Sequence, residues 1–323
     1  MNLQDARALH NKLWGVGCWV MHNPVATPSS LGRADLPLLR RGYVATAKTD
    51  GERATLLLGS MENDPSYTYA VRFDRNGHCT PMGLKTKKVT VHTVRDADPC
   101  EGTLLDCEWL PGERKFVVLD ALALCGYDVK HVPDFQLRLR SARQVVSGIK
   151  LFDNANERIH ICFKPFVGLH EMCELDPRGN ADGLIFMPLH SPVQTGRSST
   201  ILKWKWCHTV DALWRDGTFW FGKGDKFVPC SDAGVINSAR SVTHSATTMG
   251  TQLNDDLEEN VVYELAPHKG GLYRVVKARR DKGPVPNQVD TAVAAVAHAR
   301  EDLQFEEMVR IFCDKPRRPT AAT

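Results

Sequence analysis

Short apolar runs bounded by turn residues dominate the chain, and most of the elements this pattern predicts are strands. An apolar run from Tyr43 to Ala47 ends at Lys48, the turn dipeptide Asp50-Gly51 follows, and a second run covers Ala54 to Leu58. That reads as two strands presenting a lysine where the chain bends, with carboxylates and Arg53 beside it. Tyr67 to Phe73 alternates as a strand and runs into Asp74-Arg75-Asn76-Gly77, a hairpin signal. Thr103 to Leu110 and Lys115 to Leu124 are apolar strands joined by a turn at Pro111-Gly112. Phe135, Leu139, Ala142, Val146 and Ile149 recur at helical spacing, which predicts an amphipathic helix over Pro133 to Leu151 with its stripe in the core. Further strands are predicted at Ile159 to Lys164, Gly183 to Met187 and Thr200 to Trp206, and Asn23 to Pro37 reads as an ordered lead-in loop.

Beyond Cys207 the pattern changes to short strands with long polar loops, which divides the chain into domains 1–207 and 208–323. Strands are predicted at Val210 to Trp214, Thr218 to Phe221, Val261 to Leu265 and Leu272 to Lys277. Ser238 to Asn254 is Ser/Thr-rich and reads as a mobile loop. Val289 to Phe312 closes the chain as one or two helices, with Phe305, Met308, Val309 and Phe312 at helical spacing.

A chain of 323 residues can bury a sizeable core and agrees with two domains. The net charge of +3 is too weak to argue for nucleic acid, yet it does not oppose a brief encounter with an RNA end. No apolar run approaches the roughly 18 residues of a membrane span, and Met1 to Lys12 is polar rather than signal-like. The expectation is an intracellular protein, nuclear or cytoplasmic, not secreted and with no membrane partner. Ten cysteines scattered through such a chain read as reduced thiols. His160, Cys162, His170 and Cys173 offer zinc donors, but two of them lie in a predicted strand, and zinc is read as the weaker alternative. His78-Cys79 does not carry the thiolate loop of cysteine phosphatases, because the glycine is displaced and Lys85 stands where an arginine belongs.

A lysine amine is a nucleophile only when deprotonated, so the surroundings of Lys48 decide what it can do. Acids and cations follow it in order along the chain. Asp106-Cys107-Glu108 ends one strand, Asp120 ends the next before Cys125-Gly126, and Asp182 opens a strand before Gly183. Lys203 and Lys205 fall on one side of a strand, since side-chain direction repeats every second residue. Taken singly each is bland: an acid before glycine is a turn residue, and lysines alternating with tryptophans mark a strand with its polar face in water. Together they supply a nucleophile, metal ligands, cations for phosphates and donors for a sugar.

In this combination the chain resembles the covalent nucleotidyltransferases, and among them the mRNA capping guanylyltransferases, above all the compact enzymes of large DNA viruses. The resemblance runs from about Asn23 to the C-terminus. The Lys-x-Asp-Gly-x-Arg motif matches Lys48 to Arg53, which implies that Lys48 becomes guanylylated. Asp74-Arg75 matches a pair in which Arg75 touches ribose or phosphate, and Asp106-Cys107-Glu108 matches a motif in which Glu108 holds ribose or metal. The resemblance further implies base, phosphate or metal contacts for Leu119, Asp182, Lys203 and Lys205, a guanine contact for Lys164, and GTP contacts for Arg53, Arg279, Asp281 and Lys282. The closing Arg-x-Asp-Lys motif matches Arg279-Arg280-Asp281-Lys282, with Asn287 after it, and separates capping enzymes from ligases. In two departures, Cys107 replaces a glycine, which implies either a tighter backbone or a side chain that intrudes on the nucleotide, and Leu119 replaces an aromatic.

The implied fold is α+β: an antiparallel-sheet nucleotidyltransferase domain followed by a C-terminal OB-fold with terminal helices. The implied activity uses GTP with Mg2+ or Mn2+. Lys48 attacks the α-phosphate, pyrophosphate leaves, and GMP passes to the 5′-diphosphate end of RNA. Separate RNA triphosphatase and cap methyltransferase proteins are the implied partners, at a cytoplasmic replication site if the source is viral. Two rivals stay open: an ATP-dependent polynucleotide ligase using the same lysine, and a catalytically inactive capping-complex scaffold. Intact Lys48, Lys203 and Lys282 argue against the scaffold.

Overall fold

The computed structural model describes residues 3–15, 25–61, 63–92, 94–175, 181–230, 257–267, 273–280 and 283–313. The fold is α+β, mostly strands with few helices. The early strands are β1 (Thr27–Ser30), β2 (Tyr43–Thr49), β3 (Glu52–Met61), β4 (Asp64–Asp74), β5 (Cys79–Thr86), β6 (Val89–Val91) and β7 (Val94–Ala97). Next come β8 (Thr103–Leu110), β9 (Lys115–Leu124), β10 (Tyr127–Asp128), β11 (Ile149–Phe152), β12 (Arg158–Phe163), β13 (Val167–Gly168), β14 (Ala181–Pro188) and β15 (Arg197–Lys205). The last are β16 (Val210–Arg215), β17 (Thr218–Lys223), β18 (Lys226–Pro229), β19 (Val261–Pro267) and β20 (Tyr273–Ala278). The helices are α1 (Leu3–Trp14), α2 (Leu36–Leu39), α3 (Phe135–Val146), α4 (Val289–Glu301) and α5 (Phe305–Phe312). The described residues divide into two compact units, one drawn from Met1–Ser29, Pro37–Lys203 and Phe312–Thr323, the other from Ser30–Leu36 and Trp204–Ile311.

Two large sheets and the small β6–β7 ribbon are described in the first unit. One runs β1-β15-β14-β2-β13; the other runs β10-β9-β12-β11-β5-β4-β3-β8, and β8 also pairs with β9, so it closes on itself. Its pairings are antiparallel except β9 with β12. Strand alternation sends Leu56, Leu58, Leu105, Cys107, Phe116 and Val118 into one core with Phe135, Leu139, Ala142 and Val145 of α3. Asp134 caps that helix by accepting from Leu137 N at 2.9 Å. The opposite face of the strands, with Leu57, Tyr69, Val71, Phe73 and Leu104, is covered by Ala6 and Trp14 of α1.

Three readings change here. Ile149, assigned to the helical stripe, opens β11 instead, because the helix stops before Gly148. A Cβ on Gly148 would stand 2.5 Å from Val89 Cγ1 and 2.6 Å from Lys87 O, so the chain turns where only glycine fits. The lead-in loop holds β1 and a 3-10 turn at Arg33–Asp35. Helix α1, in a segment read only as polar, buries Ala6, His10 and Trp14 four residues apart on one stripe.

The second unit is a five-stranded antiparallel sheet, order β18-β17-β16-β19-β20, with Ala292 and Val296 of α4 packed on Val210, Ala212, Phe219, Phe221 and Leu265. It is the expected C-terminal OB-fold with terminal helices. Asn287 ties its strands: Asp211 N donates to Asn287 Oδ1 at 2.8 Å, and Gly222 N donates to Asn287 O at 2.9 Å. Ser238 to Asn254 lies outside the described residues. Among those described, no helix is long and apolar enough to cross a membrane.

His10 makes the docking of α1 sensitive to pH. Its Nε2 lies 3.0 Å from Thr55 Oγ1 and its ring stacks on Phe73, with centroids 4.2 Å apart. Burial lowers its pKa to about 4 from an ordinary 6.5. Because the folded value is depressed, the native state is favoured fully above pH ~6.5 and loses stability as pH falls toward 4. The loss should approach ~3 kcal/mol, at 1.36 kcal/mol per pH unit. Denaturation midpoints between pH 7 and 4.5 should fall steeply for the native chain and more shallowly for His10→Gln. Parallel slopes would show that another group governs the acid sensitivity.

Candidate functional site

Lys48 owes its position to an irregularity between β2 and β14. The strands pair in register from Pro188↔Tyr43 to Leu184↔Ala47, then shift so that Ala181 faces Thr49, leaving Asp182 and Gly183 in a bulge. Gly183 has φ 148, a conformation that glycine adopts without strain. Bulges re-aim side chains, and here Lys48 Nζ donates to Asp182 Oδ2 at 2.9 Å. The two side chains are 23% and 45% exposed, so the pair contributes no more than ~1 kcal/mol and a competing charge can part it.

After Thr49 the chain crosses from one sheet to the other at Asp50-Gly51. The two strands around the lysine therefore bend apart into different sheets instead of forming one hairpin. Gly51 passes so close to β8 that a Cβ there would meet Glu108 Cγ at 2.5 Å and Leu110 Cδ2 at 2.7 Å. Glu108, opposite Arg53 in the β3–β8 register, is the hub. Its carboxylate accepts from the Thr49 hydroxyl, from Gly51 N at 3.3 Å and from Lys164 Nζ at 3.3 Å. Lys164 Nζ also donates to Thr49 Oγ1 at 2.6 Å. Burial lowers the Lys164 pKa and the charges of Lys48 and Arg53 lower it further, while Glu108 opposes the shift.

Arg53 turns from Glu108 to Asp106, to which its guanidinium donates from Nε at 2.6 Å and also from Nη2. Burial pushes the Asp106 carboxyl up to about 6 despite Arg53, helped by the charges of Asp120 and Glu108. Arg138 of α3 forks onto Asp120 with two bonds of 2.8 Å and also donates to Ser191 O at 2.9 Å. A bidentate, charge-assisted pair of this kind holds the middle of β9 rigidly against α3.

Thus Lys48, Arg53, Glu108, Lys164 and Asp182 lie around one bend of the chain. Lys203 and Lys205 are half-buried on β15, the strand beside β14, while Leu202 and Trp204 point to its other side and are buried. Leu119 is half-buried beside Asp120. Arg75 is exposed in the turn after β4, where Asp74 accepts from Asn76 N and His78 N at 2.8 Å. Cys107 corrects an expectation: it is fully buried in the α3-side core, on the face of β8 opposite Glu108, and does not intrude on the cluster. Arg279 donates to Asp211 Oδ1 at 3.4 Å within the second unit, and Asp281 and Lys282 lie outside the described residues.

Sequence reasoning missed Thr49 and Arg138. Thr49 stands inside the lysine motif but carries no chemistry of its own until Glu108 is beside it. Arg138 did have a signal, since it falls three residues after Phe135 and next to Leu139 on the apolar stripe, a position a solvated arginine avoids.

Over residues 4–207 the chain matches the family described as mRNA capping enzyme, catalytic domain. Solved structures with a similar chain course include a mycobacterial DNA ligase D complexed with ATP and MES, at 14% identity and TM-score 0.42, covering 81% of this chain and 96% of that one. The ligase domain from M. tuberculosis LigD aligns at 15% identity and TM-score 0.37, over 81% and 96% of the two chains. A Lig E DNA ligase aligns at 11% identity and TM-score 0.36, over 80% and 99%.

Proposed function

The chain belongs to the mRNA capping enzyme family, a branch of the nucleotidyltransferases, and from that premise we propose that it is a GTP:RNA guanylyltransferase. The observation that carries the reading is the lysine at the sheet crossing. Its ammonium is held by a partly exposed carboxylate, with a second carboxylate, Glu108, and two other cations, Arg53 and Lys164, set around the same bend. In the first half-reaction the Lys48 amine, once deprotonated, attacks the α-phosphate of GTP. A phosphorus–nitrogen bond forms and the bond to pyrophosphate breaks. In the second, a terminal oxygen of the RNA 5′-diphosphate attacks the same phosphorus and Lys48 is released. Such an acceptor requires a separate activity that removes one phosphate from a triphosphate end.

Asp182 has the better reach for a divalent cation. The Glu108 oxygens already accept from Thr49, Gly51 and Lys164, whereas the Asp182 side chain is 45% exposed. Among the described residues no three His, Cys, Asp or Glu side chains cluster to hold a metal. Mg2+ and Mn2+ keep several waters and take one or two carboxylates together with substrate phosphates. A cation held there would draw charge from the α-phosphate and the departing pyrophosphate. Engagement of Asp182 by a cation would also release its hydrogen bond to Lys48 Nζ. We assign Glu108 and Arg75 to ribose or phosphate, Leu119 and Lys164 to the base, Lys203 and Lys205 to the α-phosphate, and Arg279, Asp281 and Lys282 to the outer phosphates. We assign Arg53 to GTP binding as well, held in place by its two bonds to Asp106 of β8.

Base choice tests this reading. Incubated with magnesium and labelled nucleotide, then run on a denaturing gel, the protein should take label from GTP far better than from ATP. A mismatched base leaves buried polar groups unpaired, a penalty that reaches several orders of magnitude. Preferential labelling by ATP would make the chain an adenylyl-transferring ligase, and no label from either nucleotide would make it a scaffold.

A further inference from the structure

The face of the closed sheet that carries Glu108 continues away from the lysine into a cationic strip. Registers fix which residues share that face: Arg53 lies opposite Glu108, Glu108 opposite Val117, and Val117 opposite Cys162. Two residues along β9, Lys115 stands opposite His160. One step on from the Leu151↔Ile159 pair, Lys150 of β11 comes beside His160, and Lys150 lies directly opposite Lys85 of β5. Lys115, His160, Lys150 and Lys85 therefore form one row across four strands, spanning about 14 Å at ~4.8 Å per strand. Arg158 joins it through Phe152, its partner on β11, and Lys85 Nζ sits over the Phe152 ring at 5.2 Å.

Lys85, Lys150, Arg158 and His160 are exposed. Glu113 pairs with Lys115 at one end of the row, and Asp153 and Glu157 pair with Arg114 outside it. Like charges directly opposite each other on a sheet are destabilising, so the Lys85–Lys150 pair is a cost to the bare protein that a bound polyanion would relieve.

We propose that this strip binds the phosphodiester backbone of the acceptor RNA downstream of its 5′ end, while that end occupies the Lys48 site. The partner's identity rests on the guanylyltransferase reading; the polyanion-binding chemistry rests on the strip alone. Among the described residues Lys85, Lys150 and Arg158 have no ion-pair partner, and on the same face as the nucleotide cluster they form an electrostatic path for a chain of phosphates. It also explains how a protein of net charge +3 holds RNA, since the positive charge is concentrated instead of spread.

The test uses the full chain, the double variant K85Q/K150Q and its charge-keeping counterpart K85R/K150R. The ligand is a 5′-diphosphate RNA of about twelve nucleotides, within the ~4–16 that such grooves accommodate. Adduct formation with GTP should be the same in all three proteins, and melting of K85Q/K150Q should not be lower than that of the native chain. RNA affinity of K85Q/K150Q should fall roughly tenfold at low salt. Its slope of log K against log salt should shallow by about 1.4, at ~0.7 per lost single-strand contact. K85R/K150R should bind as the native chain does, and a 5′-diphosphate dinucleotide, too short to reach the strip, should accept GMP equally from all. Unchanged RNA affinity and slope in K85Q/K150Q overturn the proposal, as does an equal loss with the dinucleotide. Failure of the native chain to form any adduct overturns the guanylyltransferase reading instead, and RNA affinity still reads the strip in that case.

Discussion

Replacement of Lys48 by arginine is expected to abolish the covalent nucleotide adduct without unfolding the protein. The guanidinium keeps its proton at any pH the chain survives, so it has no lone pair with which to attack phosphorus. It can still donate to Asp182, and the exchanged ion pair contributes at most ~1 kcal/mol at this exposure. Gel labelling of Lys48→Arg should therefore show no band while its melting temperature stays within a few degrees of the native value. A normal band would place the nucleophile on another side chain.

Glu108→Ala is the second large effect, and it divides into two parts. Glu108 is the charge partner of Lys164, whose side chain is only 4% exposed, and it also accepts from Thr49 and Gly51. Removing one member of a buried pair typically costs about 3–5 kcal/mol, because the other is left without its partner. The single variant should melt well below the native protein and form adduct slowly. Adding Lys164→Met removes the stranded ammonium, so Glu108→Ala/Lys164→Met should recover much of the lost stability while adduct formation stays impaired. Chemical denaturation and single-turnover labelling of the four proteins complete the cycle. If activity returns together with stability, Glu108 serves the fold alone and has no part in nucleotide binding.

The longer strands of both units, β5 apart, were legible because alternation and turn residues are local. Strands β1, β5, β6, β7, β10, β11, β13 and β18 were not read, and the fold class came from the family resemblance. The path of the chain was less legible. Asp50-Gly51 signals a bend, but a tight hairpin and a crossing between two sheets use the same dipeptide. Only the partners decide: β14 on one side, β4 and β8 on the other. Helix α1 went unread because its buried stripe is mixed, with a histidine between alanine and tryptophan. For Cys107 the answer lay in the strand period, since Leu105 and Cys107 share one face while Asp106 and Glu108 share the other.

The site divides in the same way. Lys48, Glu108 and Asp182 stood out as residue types in a motif order, yet their mutual arrangement depends on contacts across 134 residues for Lys48–Asp182 and 56 for Lys164–Glu108. The occupation of Glu108 by Lys164 and Thr49 is such a long-range fact. It shifts the expected metal ligand toward Asp182, where the motif alone offered both carboxylates equally.

The account's central claim is that Lys48 carries GMP on its way to RNA, and a chase experiment tests it most directly. Adduct made with labelled GTP is freed of nucleotide, shown by peptide mapping to sit on Lys48, and mixed with RNA ending in a 5′-diphosphate. The account predicts an acid-labile, alkali-stable bond on Lys48, followed by quantitative passage of label from protein to the RNA end. Label on any other residue, or label that stays on Lys48 in the presence of the diphosphate RNA, would contradict it.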